Sequence, residues 1–153
     1  MQRQMSKIRV FEAADQELVR LLILKGLGEH WGSIDGSLNQ DLNDIAASFA
    51  EGRTLVAQSE GLIVGTGTIL PRQGNGAEIV RMSVAREARR FGVGQQLTSA
   101  LLDVARGWKC ERVIVETASH WTEVVAFYDR CGFRVTHEVE GEFCRDTFFE
   151  IFL

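Results

Sequence analysis

The run Arg89-Arg90-Phe91-Gly92-Val93-Gly94 has the composition of an anion site. Glycines there let backbone approach a ligand closely, and the first N–H groups of a helix starting at Gly92 have no intrahelical partners. Those amides and the positive end of the helix dipole together attract a phosphate group. Charge placement agrees. No carboxylate occurs from Ala88 through Leu102, while Arg89 and Arg90 sit at the positive end of that helix. Cations there are ordinarily unfavourable by roughly 0.3–1 kcal/mol each, a sign that a bound pyrophosphate reverses. The plainer reading is a tight turn with two solvated arginines. Neither GxxxxGK[ST] nor a complete GxGxxG is present.

Proton-transfer chemistry has three candidates. In a strand over residues 77–84, alternation puts Glu78 on the face of Val80, Met82 and Val84. A carboxylate on an otherwise apolar face suits a general base. The alternative is an edge carboxylate that faces solvent or pairs with an arginine. Glu116, at the end of a strand over 112–117, is the second candidate base. Tyr128 is the only tyrosine. Its phenol could donate a proton, but Val124, Phe127, Tyr128 and Cys131 also form one helical stripe and could be core. His30 and Trp31 lie in a glycine-punctuated stretch, where they could contact a substrate or simply anchor the loop. Cys110, Cys131 and Cys144 are odd in number, without CxxC spacing or a nearby histidine cluster, so neither a disulfide framework nor a metal site is predicted. Cys131 reads as a packed thiol.

The elements that must position these groups follow from periodicity. Residues 8–11 read as a strand. Asp15 caps a helix carrying Leu18, Leu21, Leu22 and Ile23, broken afterwards by Gly26, Gly28, Gly32 and Gly36. A second helix is predicted over about 39–50, with Leu42, Ile45, Ala46 and Phe49 on one face. Residues 54–59 and 62–70 form a hairpin about Glu60-Gly61, followed by a loop over 71–76 and the strand 77–84. An amphipathic helix spans 92–108, with Val93, Leu97, Leu101, Val104 and Trp108 in its stripe. Then come a strand at 112–117, a helix at 122–131, and strands at 133–139 and 147–153. This order is a mixed α/β sheet in which 77–84 and 112–117 are parallel neighbours.

Bulk properties set the frame. The chain has 153 residues, 45% hydrophobic and 25% charged, ordinary values for one soluble domain. A net charge of −4 opposes general nucleic-acid binding. The polar N-terminus and the lack of a long apolar run predict a cytoplasmic protein without membrane contact.

Two motifs in this frame carry a resemblance. Val84-Ala85-Arg86-Glu87-Ala88-Arg89-Arg90-Phe91-Gly92-Val93-Gly94 resembles the (R/Q)xxGx(G/A) signature of the GNAT acetyltransferases, with its preceding strand. Ala126-Phe127-Tyr128-Asp129-Arg130-Cys131-Gly132-Phe133 resembles the second signature, a helix ending in (F/L)Y…GF. Their order, separation and intervening strand also agree, over residues 57 to the C-terminus. The asparagine common at the start of the second motif is replaced by Thr122.

The resemblance implies one N-acetyltransferase domain over 1–153. Its sheet would be mixed, mostly antiparallel, of about seven strands, with a central parallel pair splayed at the cofactor site and about four helices. It implies acetyl-coenzyme A as acetyl donor and no metal. Backbone amides of Arg90, Phe91, Gly92, Val93, Gly94 and Gln95, beside Arg89, would wrap the pyrophosphate. Met82, Ser83 and Val84 would pair with the pantetheine as an added strand, near Thr122 and Phe127. The Met82 N–H would polarise the thioester carbonyl. Glu78 is similar in position to the glutamate that serves as base in the histone acetyltransferase branch, and Tyr128 matches the position whose hydroxyl reaches the coenzyme sulfur. The function implied is acetyl transfer to an amine of a small molecule or protein, by direct attack in a ternary complex. The alternative is a non-catalytic acyl-CoA-binding regulatory module. A homodimer is compatible with either.

Overall fold

β2 (Arg53–Ser59) and β3 (Leu62–Arg72) form the predicted hairpin. Its turn residues Glu60 (φ 52°) and Gly61 (φ 80°) are both left-handed, as a two-residue hairpin on twisted strands requires. In the computed structural model, residues 6–32 and 39–153 are described. They contain α1 (Gln16–Trp31), α2 (Ile45–Ser48), α3 (Val93–Gly107) and α4 (Thr122–Arg130). The remaining strands are β1 (Lys7–Val10), β4 (Gly76–Val84), β5 (Arg112–Ala118), β6 (Arg134–Glu140) and β7 (Arg145–Phe152). One seven-stranded sheet runs β1-β2-β3-β4-β5-β7-β6. Among the described residues only β4 and β5 pair in parallel, and α3 carries the chain back from the end of one to the start of the other.

That parallel pairing is short. It runs from Gly76↔Arg112 to Ile79↔Val115 and then stops. Beyond it, both strands continue without each other, to Val84 and Ala118, and leave a notch. Such a mouth at the C-terminal end of parallel strands is a natural ligand site.

Apolar surface is buried on both sheet faces. On one, Leu97 and Leu101 of α3 meet Ile69, Val113 and Phe149, all at most 1% exposed. On the other, Val19 and Ile23 of α1 pack with Leu42, Ile45 and Val56. No helix among the described residues is long and apolar enough to cross a membrane.

Several elements differ from the sequence reading. α1 does not break at Gly26 or Gly28 but continues to Trp31 and ends at Gly32 (φ 77°). Gly26 is a close-approach site: a Cβ there would lie 2.8 Å from Ser83 Oγ, so glycine lets α1 settle on β4. Gly36 lies outside the described residues. Within α1 the buried apolar residues are Val19 and Ile23, whereas Leu18 and Leu21 are exposed. Asp15 precedes α1 but does not cap it. Its carboxylate accepts from both terminal nitrogens of Arg9, at 2.8 and 2.9 Å, and from the Glu12 N–H. The predicted second helix is mostly a 3-10 turn over Gln40–Asp44. One α-turn follows, started by the Asp44 side chain, which accepts from the Ala47 N–H. β3 extends through Pro71 to Arg72.

Candidate active site

β4 carries one residue more than β3 where they pair. Thr68 faces Val80 and Thr66 faces Ser83, so Gly67 opposes both Arg81 and Met82. Arg81 takes φ 53°, and its guanidinium donates to both oxygens of Asp41, at 2.9 and 2.7 Å. This bulge inverts the alternation. Glu78, Val80 and Ser83 therefore point to the α1 face, while Met82 and Val84 point to the α3 face. The sequence reading, which put Glu78, Val80, Met82 and Val84 on one face, is corrected at that residue. Contacts agree: Ser83 Oγ approaches the Leu22 carbonyl of α1, and Met82 lies beside Leu101 of α3 at Gly67.

Between splayed β4 and β5 lies a cleft of about 1360 Å³, also walled by α3, α4 and the end of α1. Of the residues named from sequence, Glu78, Met82, Ser83, Val84, Arg89, Arg90, Gly92, Val93, Gly94, Gln95, Thr122, Phe127 and Tyr128 line it. Phe91 does not, its ring being 52% exposed elsewhere.

The glycine loop is built as an anion cradle. Gly92 caps α3 with φ 80°, a conformation that favours glycine, and nothing stands within 4 Å of where its Cβ would be. No side chain caps the first turn of α3, so the amides of Val93, Gly94 and Gln95 keep their donors. Gly94 has a different reason. A Cβ there would come within 3.1 Å of the Phe127 ring, so its absence lets α4 close on α3. Arg89 is tied down, donating to the Val84 carbonyl at 3.0 Å and pairing with Glu29 at 2.8 Å. Arg86 and Arg90 add positive charge to the lining.

The acid–base groups sit in contrasting surroundings. Glu78 accepts from Arg72 at 2.8 Å, the arginine pair weighed from sequence. Glu116 also lines the cleft, on the same sheet face as Glu78. Burial, then the negative charges of Asp146 and Glu78, push its carboxyl above the ordinary range. Tyr128 is 4% exposed, packed by Phe127, Phe133 and Phe149, and burial raises its phenol. Its hydroxyl makes no hydrogen bond among the described residues, although the residue lines the cleft. Tyr128 is thus both core and cleft wall.

Sequence reasoning missed His120, Trp121 and Asp146. A signal existed. The chain holds three histidines and three tryptophans, and two of each form the dipeptides His30-Trp31 and His120-Trp121. These meet in space. His30 stacks on Trp121 at 4.2 Å, and Trp31 sets its edge against Trp121 at 5.2 Å and His120 at 5.6 Å.

A seven-stranded sheet with one splayed parallel pair, and a glycine-capped helix opening on the notch, has clear relatives. The sequence model of the acetyltransferase (GNAT) family matches residues 18–133. The Xenopus tropicalis protein named "Probable N-acetyltransferase camello" is 31% identical over 111 residues, covering 69% of this chain and 51% of that protein. The chain thus spans about half the length of that relative. A GNAT-family acetyltransferase of Staphylococcus aureus Mu50 superposes with a TM-score of 0.85 at 18% identity, covering 97% of this chain and 99% of that one. A Bacillus subtilis acetyltransferase in complex with CoA superposes at 0.73 and 20% identity, covering 97% and 99%. This chain belongs to the acetyltransferase (GNAT) family.

Proposed function

We propose that the protein is an acetyl-coenzyme A-dependent N-acetyltransferase that transfers the acetyl group directly to an amine held in the cleft. The observation that carries this is one cleft lined both by the uncapped first turn of α3 and by Glu78, Glu116 and Tyr128. The Bacillus subtilis relative holds CoA, which supports the same ligand here. The residues fit it: α3 amides and Arg90 suit a pyrophosphate, and the edge of β4 released beyond Ile79 suits an extended pantetheine. Acetyl-coenzyme A supplies an activated acyl carbon.

The chain's own groups have three tasks. A lysine-like amine has a pKa near roughly 10.4 and must shed a proton before attack. Glu78 and Glu116 both face the cleft, and Glu116 has the better-matched basicity, since its raised pKa brings it closer to the working pH. Glu78, held by Arg72, supplies part of the negative field that raises it. The Met82 N–H, at the bulge, is the proposed donor to the carbonyl oxygen as charge develops there. As the amine nitrogen bonds to the acyl carbon, the carbon–sulfur bond breaks. The Tyr128 hydroxyl, kept protonated by burial, then donates to the departing sulfur. No cysteine is needed as an acyl carrier.

The test is release of free coenzyme A thiol from acetyl-coenzyme A with a panel of amines. Amine-dependent, steady release is expected. Tight binding of acetyl-coenzyme A with no release for any amine would instead favour the acyl-CoA-binding regulatory module.

A further inference from the structure

Four rings from two distant His-Trp dipeptides converge on the cleft, one pair from the last turn of α1 and one from the β5–α4 connection. His30, Trp31 and Trp121 line it. Within this wall the Trp121 indole N–H is buried and has no hydrogen-bond partner among the described residues. Trp N–H groups ordinarily find a partner when buried, and an orphaned donor is destabilising. Nothing in the packing of the fold explains retaining it. The Trp121 ring does not belong to either apolar core, and a phenylalanine would make the same stack on His30. An unmet donor in a substrate cleft is explained when the substrate brings the acceptor atom.

We infer that Trp121 recognises the acetyl acceptor, its indole N–H donating to an amide or carboxylate oxygen carried next to the acceptor's amine. The substrate class is then the α-amino acyl compounds: amino acids, their amides and peptide N-termini. This rests on the acetyl-transfer reading above. The neighbouring rings suit such a ligand. Trp31 is 44% exposed and His30 is exposed too, so both can rotate aside and then lie against the acceptor's side chain. Rotamer changes of that kind are common on binding. Partial desolvation of the ring, then the nearby Arg89, lowers the His30 pKa, which favours the uncharged ring for stacking.

The experiment compares alaninamide, a short alanine-led peptide and propylamine as acceptors, in the wild type and in Trp121→Phe. Rates are expressed per neutral amine, with acetyl-coenzyme A saturating. Trp121→Phe should lower kcat/KM about tenfold for the amide and the peptide, the effect of one lost hydrogen bond. The loss should be clearly smaller for propylamine, which carries no such oxygen, and Tm should not fall. In the wild type, one of three indole N–H resonances should shift when alaninamide joins the coenzyme A complex, and none with propylamine. Equal losses for all three acceptors, or none, with no indole shift, would overturn the inference and leave acetyl transfer standing. No turnover of any amine would remove both. If the peptide alone shows the loss, the acceptor is a protein N-terminus; if alaninamide shows it equally, a free amino acyl compound suffices.

Discussion

At Tyr128 two roles meet in one side chain, and a single oxygen separates them. The ring fills space among Phe127, Phe133 and Phe149, which Tyr128→Phe preserves. Since the hydroxyl makes no hydrogen bond among the described residues, its removal should leave Tm nearly unchanged. If the hydroxyl donates to the leaving sulfur, turnover should drop substantially, and less so for an acyl donor with a more acidic thiol. Melting and turnover measured on one sample decide it. Unchanged turnover would return Tyr128 to the core alone. The two carboxylates are separable by pH. Glu116 works only when deprotonated, so kcat/KM should fall as pH drops through its raised pKa, above the ordinary 4.5. Glu116→Gln should abolish that limb and cost roughly 10²–10⁴-fold. Glu78→Gln removes a neighbouring negative charge, so it should move the limb to lower pH. A limb abolished by Glu78→Gln and untouched by Glu116→Gln would assign the base to Glu78.

The helix and strand ends that build the cleft owe their shape to local conformations, and these can be tested separately. Gly92 has room for a Cβ but a φ of 80°; Gly94 has an ordinary φ but Phe127 at 3.1 Å. Gly92→Val should therefore lose acetyl-coenzyme A binding, because the cradle amides turn away, with about 1–2 kcal/mol of stability. Gly92→Asn, which tolerates the left-handed region, should keep more of both. Gly94→Ala should lower Tm by crowding Phe127 off α3. Titration calorimetry and melting on the three variants separate conformation from crowding; normal coenzyme binding by Gly92→Val would move the anion site elsewhere. At this scale the sequence was legible where a rule is local. The Glu60-Gly61 hairpin, the α3 stripe and the glycine loop all follow from neighbours in the chain. The bulge at Arg81 does not, because the extra residue exists only relative to β3, and Gly67 gives no hint of it. That is why alternation misassigned the faces of Glu78 and Met82. Gly26 and Gly28 likewise read as breakers, since the contact that Gly26 permits, Ser83, is far along the chain.

At the scale of the molecule, order and spacing of two motifs carried the fold: the parallel pair, its crossover and the antiparallel strands around it. What the chain alone left open was how distant residues meet. Neither His-Trp dipeptide is informative singly, and Asp146 acquires meaning only beside Glu116. Ligand linkage should be visible for the whole fold. Acetyl-coenzyme A at about a hundred times its Kd should raise Tm by ~5–10 °C. No shift at millimolar concentration would remove the cofactor assignment.

The most direct test follows the acetyl group itself. The protein is mixed with acetyl-coenzyme A labelled in the acetyl carbon and with an amine that supports thiol release, and the label is traced by mass spectrometry over single and multiple turnovers. The label should appear in the amine as an amide, in step with free thiol, with none on the protein at any time. Initial rates against both substrates should give intersecting lines. Label that stays on coenzyme A, or that accumulates on the protein before reaching the amine, would contradict direct transfer in a ternary complex.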